Sequence, residues 1–394
     1  MRKTAIPSSY PAEGTYNFST IHVDLSCATP GATIHYTIDG SEPDENSQVY
    51  CRDNGLLHLE GKHGSSVSFT LKAYAEAEGL ERSRTVTFTY RFNCFAKGYF
   101  RHTMLREPAD GCPGLMCIED HDLDRMFLVI GTERAVLIDA GWSREGDLPT
   151  LCKELVGKDI PIDLVVGHGH PDHIMQVENF LAAGCKVYLP SRDLELAASF
   201  GVNPAPGSTF DLTEGMKLEL GNACLTVYEV PGHTPGGVVL LDEENGDLYA
   251  SDELGSCRRY VPDSAFLQLD PAFTLETNLR ALDSFIEKTW GKVKRIFTGH
   301  NDDILDGPGY LHALRTAMAK AVEGGEEALR PSYRSAAESM GSGTIAWEGD
   351  WRYDPFWAAV NLRFLYDRDR DAVPPKYVKG FQPELAKFDD FLDK

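Results

Sequence analysis

The sequence predicts two units of different fold class: a small all-β sandwich over residues 1–92, followed by an α/β unit over residues 93–394. Short runs with alternating apolar residues, separated by turns rich in Gly and Pro, fill the first unit and are typical of antiparallel strands. In the second unit, apolar strand-like runs alternate with helical patterns, which indicates helices layered on a sheet. A dense group of histidines in this second unit marks where chemistry is expected.

Composition excludes several classes of protein. The chain has 394 residues, 42% of them hydrophobic, and a formal net charge of -22. This acidity repels polyanions and argues against nucleic acid as a partner, and no run of about 18 apolar residues predicts a membrane helix. The nine cysteines are scattered, and Met1–Gly14 lacks the apolar core of a signal peptide. We therefore expect a cytoplasmic protein with free thiols.

The first unit shows period-2 alternation and no helical pattern before residue 93. The alternating apolar residues are Ile21, Val23, Leu25, Ile34, Tyr36, Ile38, Val86, Phe88 and Tyr90. The stretch Tyr-Thr-Ile-Asp-Gly-Ser-Glu-Pro at 36–43, with Leu-Lys-Ala-Tyr-Ala at 71–75, resembles the chitobiase/β-hexosaminidase C-terminal-type domain. That resemblance covers roughly Ser19–Tyr90 and implies an immunoglobulin-like accessory module. Tyr36, Tyr50 and Tyr74 could stack on a sugar ring, but alternating aromatics in strands favour packing.

Between residues 127 and 198, four apolar runs predict strands and three patterns predict helices. The strands are expected at 127–130, 135–138, 162–166 and 186–189, and the helices at 147–156, 174–183 and 193–198. A further helix is expected within 307–324, where Leu311, Leu314, Met318 and Val322 have helical spacing.

The histidine group is His-Gly-His-Pro-Asp-His at 168–173, directly after the predicted strand 162–166 and Gly167. His168 and His170 are two residues apart and can turn toward one point. Asp172 and His173 begin the next helix and can reach a second point. Imidazole and carboxylate are the ligands of zinc, iron and manganese in hydrolytic sites, so the sequence predicts a metal site on this loop.

Further residues of ligand type follow other apolar runs. His233 lies in Pro-Gly-His-Thr-Pro-Gly, Asp252 follows Leu-Tyr-Ala-Ser, and His300 lies in Thr-Gly-His. A lone histidine at a strand end is usually structural. Several such ends, added to the first group, favour one shared site, because sites are built on loops at strand ends.

These motifs, in this order and together with Asp139, resemble the metallo-β-lactamase superfamily. The resemblance implies an αββα sandwich with two metal ions at one edge of its sheets. It places His168, His170 and His233 on the first ion, and Asp172, His173 and His300 on the second, with Asp252 bridging them. It also implies that Asp139 orients the ligand loop from behind, as such partners do.

The ligand set narrows the choice within the superfamily. Asp252 stands where common β-lactamases have cysteine, and His170 stands where flavo-diiron proteins have glutamate, so the set is similar to the glyoxalase II, lactonase and phosphodiesterase branches. Two departures are Gly167, where threonine is usual, and Met175-Gln176, where Gly-Gly is usual. We expect the first to loosen support of the site and the second to change the packing of the adjacent helix.

The ligands imply hydrolysis by a hydroxide that bridges two divalent ions, zinc or alternatively manganese or iron. Asp172 and Asp252 are the expected proton carriers, whereas Ser251 and Cys257 are expected to be structural. The predicted substrate is a small ester, thioester or lactone. The alternatives are a small-molecule phosphodiester, an iron-dependent oxidoreductase on the same fold, and a non-catalytic scaffold.

The sequence predicts the residues that contact the substrate less specifically than it predicts the metal ligands. Arg258, Arg259 and Tyr260 follow Asp252 and could bind an anionic group, or form a solvated loop. From about residue 330 the chain is rich in aromatics, including Trp347 and Trp351. This extension could roof the cleft and contact substrate, form a contact between copies in a homo-oligomer, or fill a core.

Overall fold

The structure is a computed structural model that describes residues 2–17, 20–51, 56–109, 111–254, 275–300, 305–328, 330–331, 344–349 and 356–361. The chain divides into two compact units. Met1–Tyr99 and His121–Leu123 form the first unit, and Phe100–Asp120 and Asp124–Lys394 form the second.

The described residues of the first unit contain strands and no helix, as the alternating pattern predicts. The strands are β1 Ser8–Tyr10, β2 Gly14–Tyr16, β3 Thr20–Ser26, β4 Thr33–Thr37, β5 Gln48–Tyr50, β6 Leu57–Glu60, β7 Ser66–Glu76 and β8 Val86–Asn93. They form a three-stranded sheet in the order β1-β3-β6 and a five-stranded sheet in the order β2-β8-β7-β4-β5.

The aromatic residues of this unit mostly pack inside it. Tyr74 is 1% exposed and stacks on the ring of His35, with centroids 4.9 Å apart. Tyr36 and Tyr50 meet edge to face at 6.4 Å, and the Tyr50 hydroxyl donates to Asp24. The packing role expected for Tyr74 is confirmed, because a buried ring cannot stack on a sugar.

The second unit contains two six-stranded sheets. Its strands are β9 Arg101–Arg106, β10 Gly114–Glu119, β11 Arg125–Ile130, β12 Ala135–Ile138, β13 Ile162–Val165, β14 Val187–Tyr188, β15 Lys217–Glu219, β16 Cys224–Glu229, β17 Val238–Asp242, β18 Asp247–Ser251, β19 Arg295–Thr298, β20 Leu305–Asp306, β21 Arg330–Pro331, β22 Thr344–Gly349 and β23 Phe356–Asn361. One sheet runs β14-β13-β12-β11-β10-β9 and the other β15-β16-β17-β18-β19-β20, while β21, β22 and β23 form a small third sheet.

Alternation along each strand divides its side chains between two cores. In β10, Leu115 and Cys117 join the cluster between the two large sheets, whereas Met116 and Ile118 join the cluster under the helices. The strands β10 to β13 are therefore buried on both faces, which explains why these runs read as continuously apolar.

Helices cover the outer face of each large sheet. They are α1 Leu148–Val156, α2 Pro171–Ile174, α3 Val177–Ala182, α4 Leu194–Ser199, α5 Leu275–Lys288 and α6 Gly307–Ala328. Leu148 and Phe180 pack on the first sheet, and Leu282 and Leu314 pack on the second. The unit is thus the expected αββα sandwich, and the helix predicted within 307–324 is confirmed.

The helix predicted at 174–183 is wrong as a single element, because the structure divides it into α2 and α3. The backbone N–H groups of Met175 and Gln176 donate to the carbonyls of Gly141 and Ala140, so they are directed away from a continuous helical ladder. The buried Gln176 side chain donates to the Ser143 carbonyl at 2.6 Å. The two residues that replace the usual Gly-Gly thus bind the loop after β12.

Several residues with a predicted role lie outside the described part of the chain. Arg258, Arg259, Tyr260, Cys257 and Trp351 are among them. Trp347 lies on β22, and the structure does not describe its side chain. Among the described residues, no helix combines the length and apolar character that crossing a membrane requires.

Candidate metal centre

Five chain segments that follow strands bring the predicted ligands to one edge of the two large sheets. In the first sheet β12 and β13 are parallel, with Ile138 opposite Val165, so Asp139 and the loop after β13 begin side by side. In the second sheet β18 and β19 are parallel, with Ser251 opposite Thr298. Asp252 and His300 therefore follow neighbouring strand ends. His233 lies in the segment that follows β16.

His168, His170 and His233 form the first group of ligand-type side chains. Nδ1 of His170 lies 2.9 Å from Nε2 of His233, and Nε2 of His233 lies 3.2 Å from Nε2 of His168. All three residues are buried, with exposures between 0% and 8%. The structure thus brings together the three side chains that the resemblance places on the first ion.

Asp172, His173, Asp252 and His300 form the second group. Nε2 of His300 lies 3.0 Å from Oδ2 of Asp172 and 3.1 Å from Oδ2 of Asp252. Nε2 of His173 lies 3.4 Å and 3.5 Å from the same two oxygens. The rings of His168 and His173 are 4.2 Å apart, so the two groups are neighbours.

The electrostatics of the first group suit a cation. Burial, reinforced by the neighbouring imidazoles, holds the pKa of His168 well below its usual value. Burial also lowers the pKa of His170. Both rings are therefore neutral, and only a neutral imidazole has the free electron pair that a metal ion requires.

The second group attracts positive charge. Burial lowers the pKa of His173 and of His300, but nearby carboxylates outweigh it and hold both values well above the usual one. Burial opposes ionisation of Asp252, yet His300 and His173 hold its pKa well below the usual value. A site that stabilises extra protons on two imidazoles is a site where a divalent cation would replace them, so the donor set fits a metal ion.

Asp139 supports both groups from behind. Its Oδ2 lies 3.0 Å from Nδ1 of His173 and accepts the Ser251 hydroxyl at 2.7 Å. Its Oδ1 accepts the Gly167 N–H at 2.8 Å. The backbone φ of Asp139 is 67°, a conformation that non-Gly residues adopt rarely, and these three contacts hold it there.

The loosening expected at Gly167 stays a prediction, and the structure shows which residue lies beside it. A Cβ on Gly167 would lie 2.7 Å from the Cβ of Ser251. The space belongs to Ser251, whose hydroxyl lies 3.1 Å from Nδ1 of His168 and donates to Asp139. Ser251, from β18, thus places a hydroxyl between Asp139 and His168.

Three buried acids beside the ligands escaped sequence reasoning. Asp193 accepts hydrogen bonds from the Gly169 N–H, the Gly236 N–H and the Thr234 hydroxyl, at 2.6 to 2.8 Å. Asp124 lies 2.9 Å from Nδ1 of His300, and Glu253 lies 3.8 Å from Nδ1 of His168. The sequence feature that could have identified two of them is their position just after a strand, since Asp193 and Glu253 come shortly after β14 and β18.

Comparison with known proteins agrees with this architecture. The family profile described as the metallo-beta-lactamase superfamily matches residues 125–300, and that of the chitobiase/beta-hexosaminidase C-terminal domain matches residues 11–87. A protein from Aquifex aeolicus, described as uncharacterized, is 30% identical over 149 residues, which are 34% of this chain and 68% of that protein.

A hydroxyacylglutathione hydrolase from Methylococcus capsulatus is 32% identical over 101 residues, which are 25% of this chain and 36% of that enzyme. This chain therefore spans only about a third of the hydrolase. Among solved structures, the metallo-β-lactamase FIM-1 from Pseudomonas aeruginosa in its mono-zinc form is similar with a TM-score of 0.43 and 19% identity, over 56% of this chain and 96% of that one.

DIM-1 metallo-β-lactamase is similar with a TM-score of 0.44 and 17% identity, over 56% of this chain and 98% of that one. The matched segment 125–300 holds both groups of ligand-type residues. Residues 125–300 belong to the metallo-β-lactamase superfamily, whose members are typically metal-dependent hydrolases, and residues 11–87 form a chitobiase/β-hexosaminidase C-terminal-type domain ahead of them in the sequence.

Proposed function

We propose that this protein is a binuclear metal-dependent hydrolase that cleaves a small ester, thioester or lactone. The observation that carries the proposal is the presence of two neighbouring groups of ligand-type side chains, His168, His170 and His233 in one, and Asp172, His173, Asp252 and His300 in the other. Seven such side chains are more than one ion needs, since hydrolytic zinc sites use about three protein ligands each.

The first group would hold one ion and the second group, which includes Asp252, would hold the other. When bound, two divalent ions of the zinc type supply an activated water and polarise the substrate oxygen. The expected number of ions, the zinc identity and the bridging role of Asp252 are parts of this proposal.

The chain's own carboxylates would handle the proton. Asp172 is 18% exposed at its side chain, so solvent and substrate reach it, whereas Asp252 is 11% exposed and lies deeper. Either can accept a proton from the attacking water and return it to the leaving group. Ser251 is committed to Asp139 and His168, which supports water, rather than a serine, as the nucleophile.

An exposed aromatic ring beside the first group supports an acyl or lactone substrate. The ring of Phe200 lies 6.3 Å from that of His170 and is 38% exposed. Arg144 donates to the carbonyls of Phe200 and Gly201, which holds this segment in place. The relative named hydroxyacylglutathione hydrolase supports a thioester, because its named substrate is one.

We further propose that the enzyme acts in the cytoplasm on a small molecule, because its nine cysteines are scattered and its net charge disfavours polyanions.

The test is turnover of the zinc- and manganese-loaded full-length protein on a panel of lactones, acyl thioesters and phosphodiesters. We expect lactone or thioester hydrolysis that falls by more than about a hundredfold in Asp252→Ala, since even partners behind the ligands contribute about 10- to 100-fold. Asp159→Asn, an exposed carboxylate on the turn after α1, is the matched control and should keep full activity.

Turnover of phosphodiesters alone would replace the proposed bond class with the phosphodiesterase alternative. Protein purified with iron that consumes O₂ and hydrolyses nothing would contradict the proposal in favour of the oxidoreductase. Unchanged hydrolysis in a folded Asp252→Ala variant would show that the cluster is not the catalytic site.

A further inference from the structure

A third group of metal-ligand side chains lies in the first unit, apart from the seven residues of the candidate metal centre. It consists of His63, His121 and Asp122. His63 lies on the turn between β6 and β7, and His121 and Asp122 lie on the turn between β10 and β11. All three belong to the first compact unit.

The donor atoms of this group converge. Nε2 of His63 and Nε2 of His121 lie 3.9 Å and 3.8 Å from the same oxygen, Oδ2 of Asp122. The three ligand atoms lie within 4.8 Å of one another, and the two rings meet edge to face at 4.5 Å. Donors on a tetrahedral zinc ion, with bonds of about 2.0–2.1 Å, are about 3.3 Å apart. The two histidine–aspartate distances would therefore have to shorten by about half an ångström, and the distance between the two histidine donors by at most about 1.5 Å.

The group is only partly buried, so an ion can reach it from solvent. The His121 side chain is 2% exposed, which fixes its ring, whereas those of His63 and Asp122 are 23% and 21% exposed. A solvent-facing side is what a metal site with a remaining water ligand requires.

The chemistry of the donors selects a class of ion. Two of the three donors are imidazole nitrogens, which suit zinc and similar transition metals better than calcium or magnesium, and zinc also accepts a carboxylate oxygen. Three protein donors also leave a coordination position for water. We propose that His63, His121 and Asp122 form a separate binding site for one divalent transition-metal ion of the zinc type.

Such an ion would have a structural effect. His63 and His121 are far apart in the sequence, so one ion on both would cross-link two turns of the first unit. An ion that binds only the folded chain stabilises it by mass action. The site touches none of the seven residues proposed for hydrolysis, so it stands or falls independently of that function.

The test is zinc content of the full-length protein after equilibrium dialysis against buffered Zn²⁺, for wild type, His63→Ala and Asp122→Asn. His58→Ala is the matched control, because His58 lies in the same unit with a side chain 53% exposed beside Glu60. We expect both site variants to bind one zinc fewer per chain than His58→Ala and to lose part of the rise in Tm that zinc produces in wild type.

Asp122→Asn keeps the shape of the side chain, so it remains informative if His63→Ala does not fold. Equal zinc content in the control and in every folded site variant would overturn the proposal. Loss of ions in His170→Ala or His300→Ala reports only on the two ions proposed for the candidate metal centre. The failure of one proposal is therefore distinguishable from the failure of the other.

Discussion

The two ligand groups of the metallo-β-lactamase domain are held by different means. In the first, Asp193 accepts hydrogen bonds from the Gly169 and Gly236 N–H groups and from Thr234, so it sets the backbone of the loops that bear His170 and His233. In the second, a carboxylate contacts Nδ1 of each imidazole directly, Asp139 at His173 and Asp124 at His300.

The difference shows two ways of orienting a metal ligand. A carboxylate that contacts the ring sets its rotation and its tautomer, and acts on one ligand. A carboxylate that binds backbone N–H groups fixes the backbone conformation of the loops, so it affects the position of every ligand-type side chain on those loops. Asp139 does both, because it contacts His173 and also accepts the Gly167 N–H ahead of His168.

Removal of a ligand from either group gives the largest expected effect. We expect His170→Ala and His300→Ala each to lose one ion per chain and more than about a hundredfold in kcat/KM, because each removes a direct donor. Metal analysis with steady-state kinetics provides the measurement. His102→Ala, exposed on β9, is the control. Loss of both ions in either variant would show that the two groups are one cooperative site.

Asp139→Asn is expected to have the next largest effect and to reach both groups. We expect the affinity for both ions to fall toward the upper end of the 10- to 100-fold range typical of such partners, whereas Asp124→Asn should weaken the second ion alone. Titration with a fluorescent zinc competitor measures both affinities. If both variants lost affinity for the same ions to the same extent, Asp139 and Asp124 would not have the different roles assigned to them.

Asp193→Asn should weaken the first ion by about tenfold, at the lower end of that range. Its two oxygens accept three hydrogen bonds, and an amide can replace only one oxygen as an acceptor. The same competitor titration applies, with Glu195→Gln as the control because Glu195 is exposed on α4. A selective loss of the second ion would contradict the assignment of Asp193 to the first group.

The smallest expected effect concerns stability at Gly167 and Ser251. Gly167→Ala should destabilise the domain by about 1–3 kcal/mol, because its Cβ would meet that of Ser251 at 2.7 Å. Ser251 has a φ of 47°, so Ser251→Gly relieves both the clash and the backbone strain. Urea unfolding of the two single variants and the double variant measures the coupling, and additive losses would show that the two positions do not share space.

Sequence reasoning located the seven ligand-type residues and Asp139 behind them, but it did not locate Asp124, Asp193 or Glu253. The ligands were recognisable because each follows an apolar run in a short motif, as with His233 in Pro-Gly-His-Thr-Pro-Gly. Asp124 and Asp193 carry no such motif. The helix expected at 174–183 was drawn as one element because nothing local shows that Met175 and Gln176 bind the carbonyls of Gly141 and Ala140.

The order of the two units, the strand pattern and the loops that bear the seven ligand-type residues could be predicted from the amino-acid sequence, because periodicity and strand-end placement are local properties of the chain. The groups that support those residues could be identified only in the folded structure. Ser251 fills the space left by Gly167, Asp193 binds Gly236, and His63 meets His121. These partners are distant in sequence, and only the packing of sheets and loops brings them within hydrogen-bonding or ligand distance.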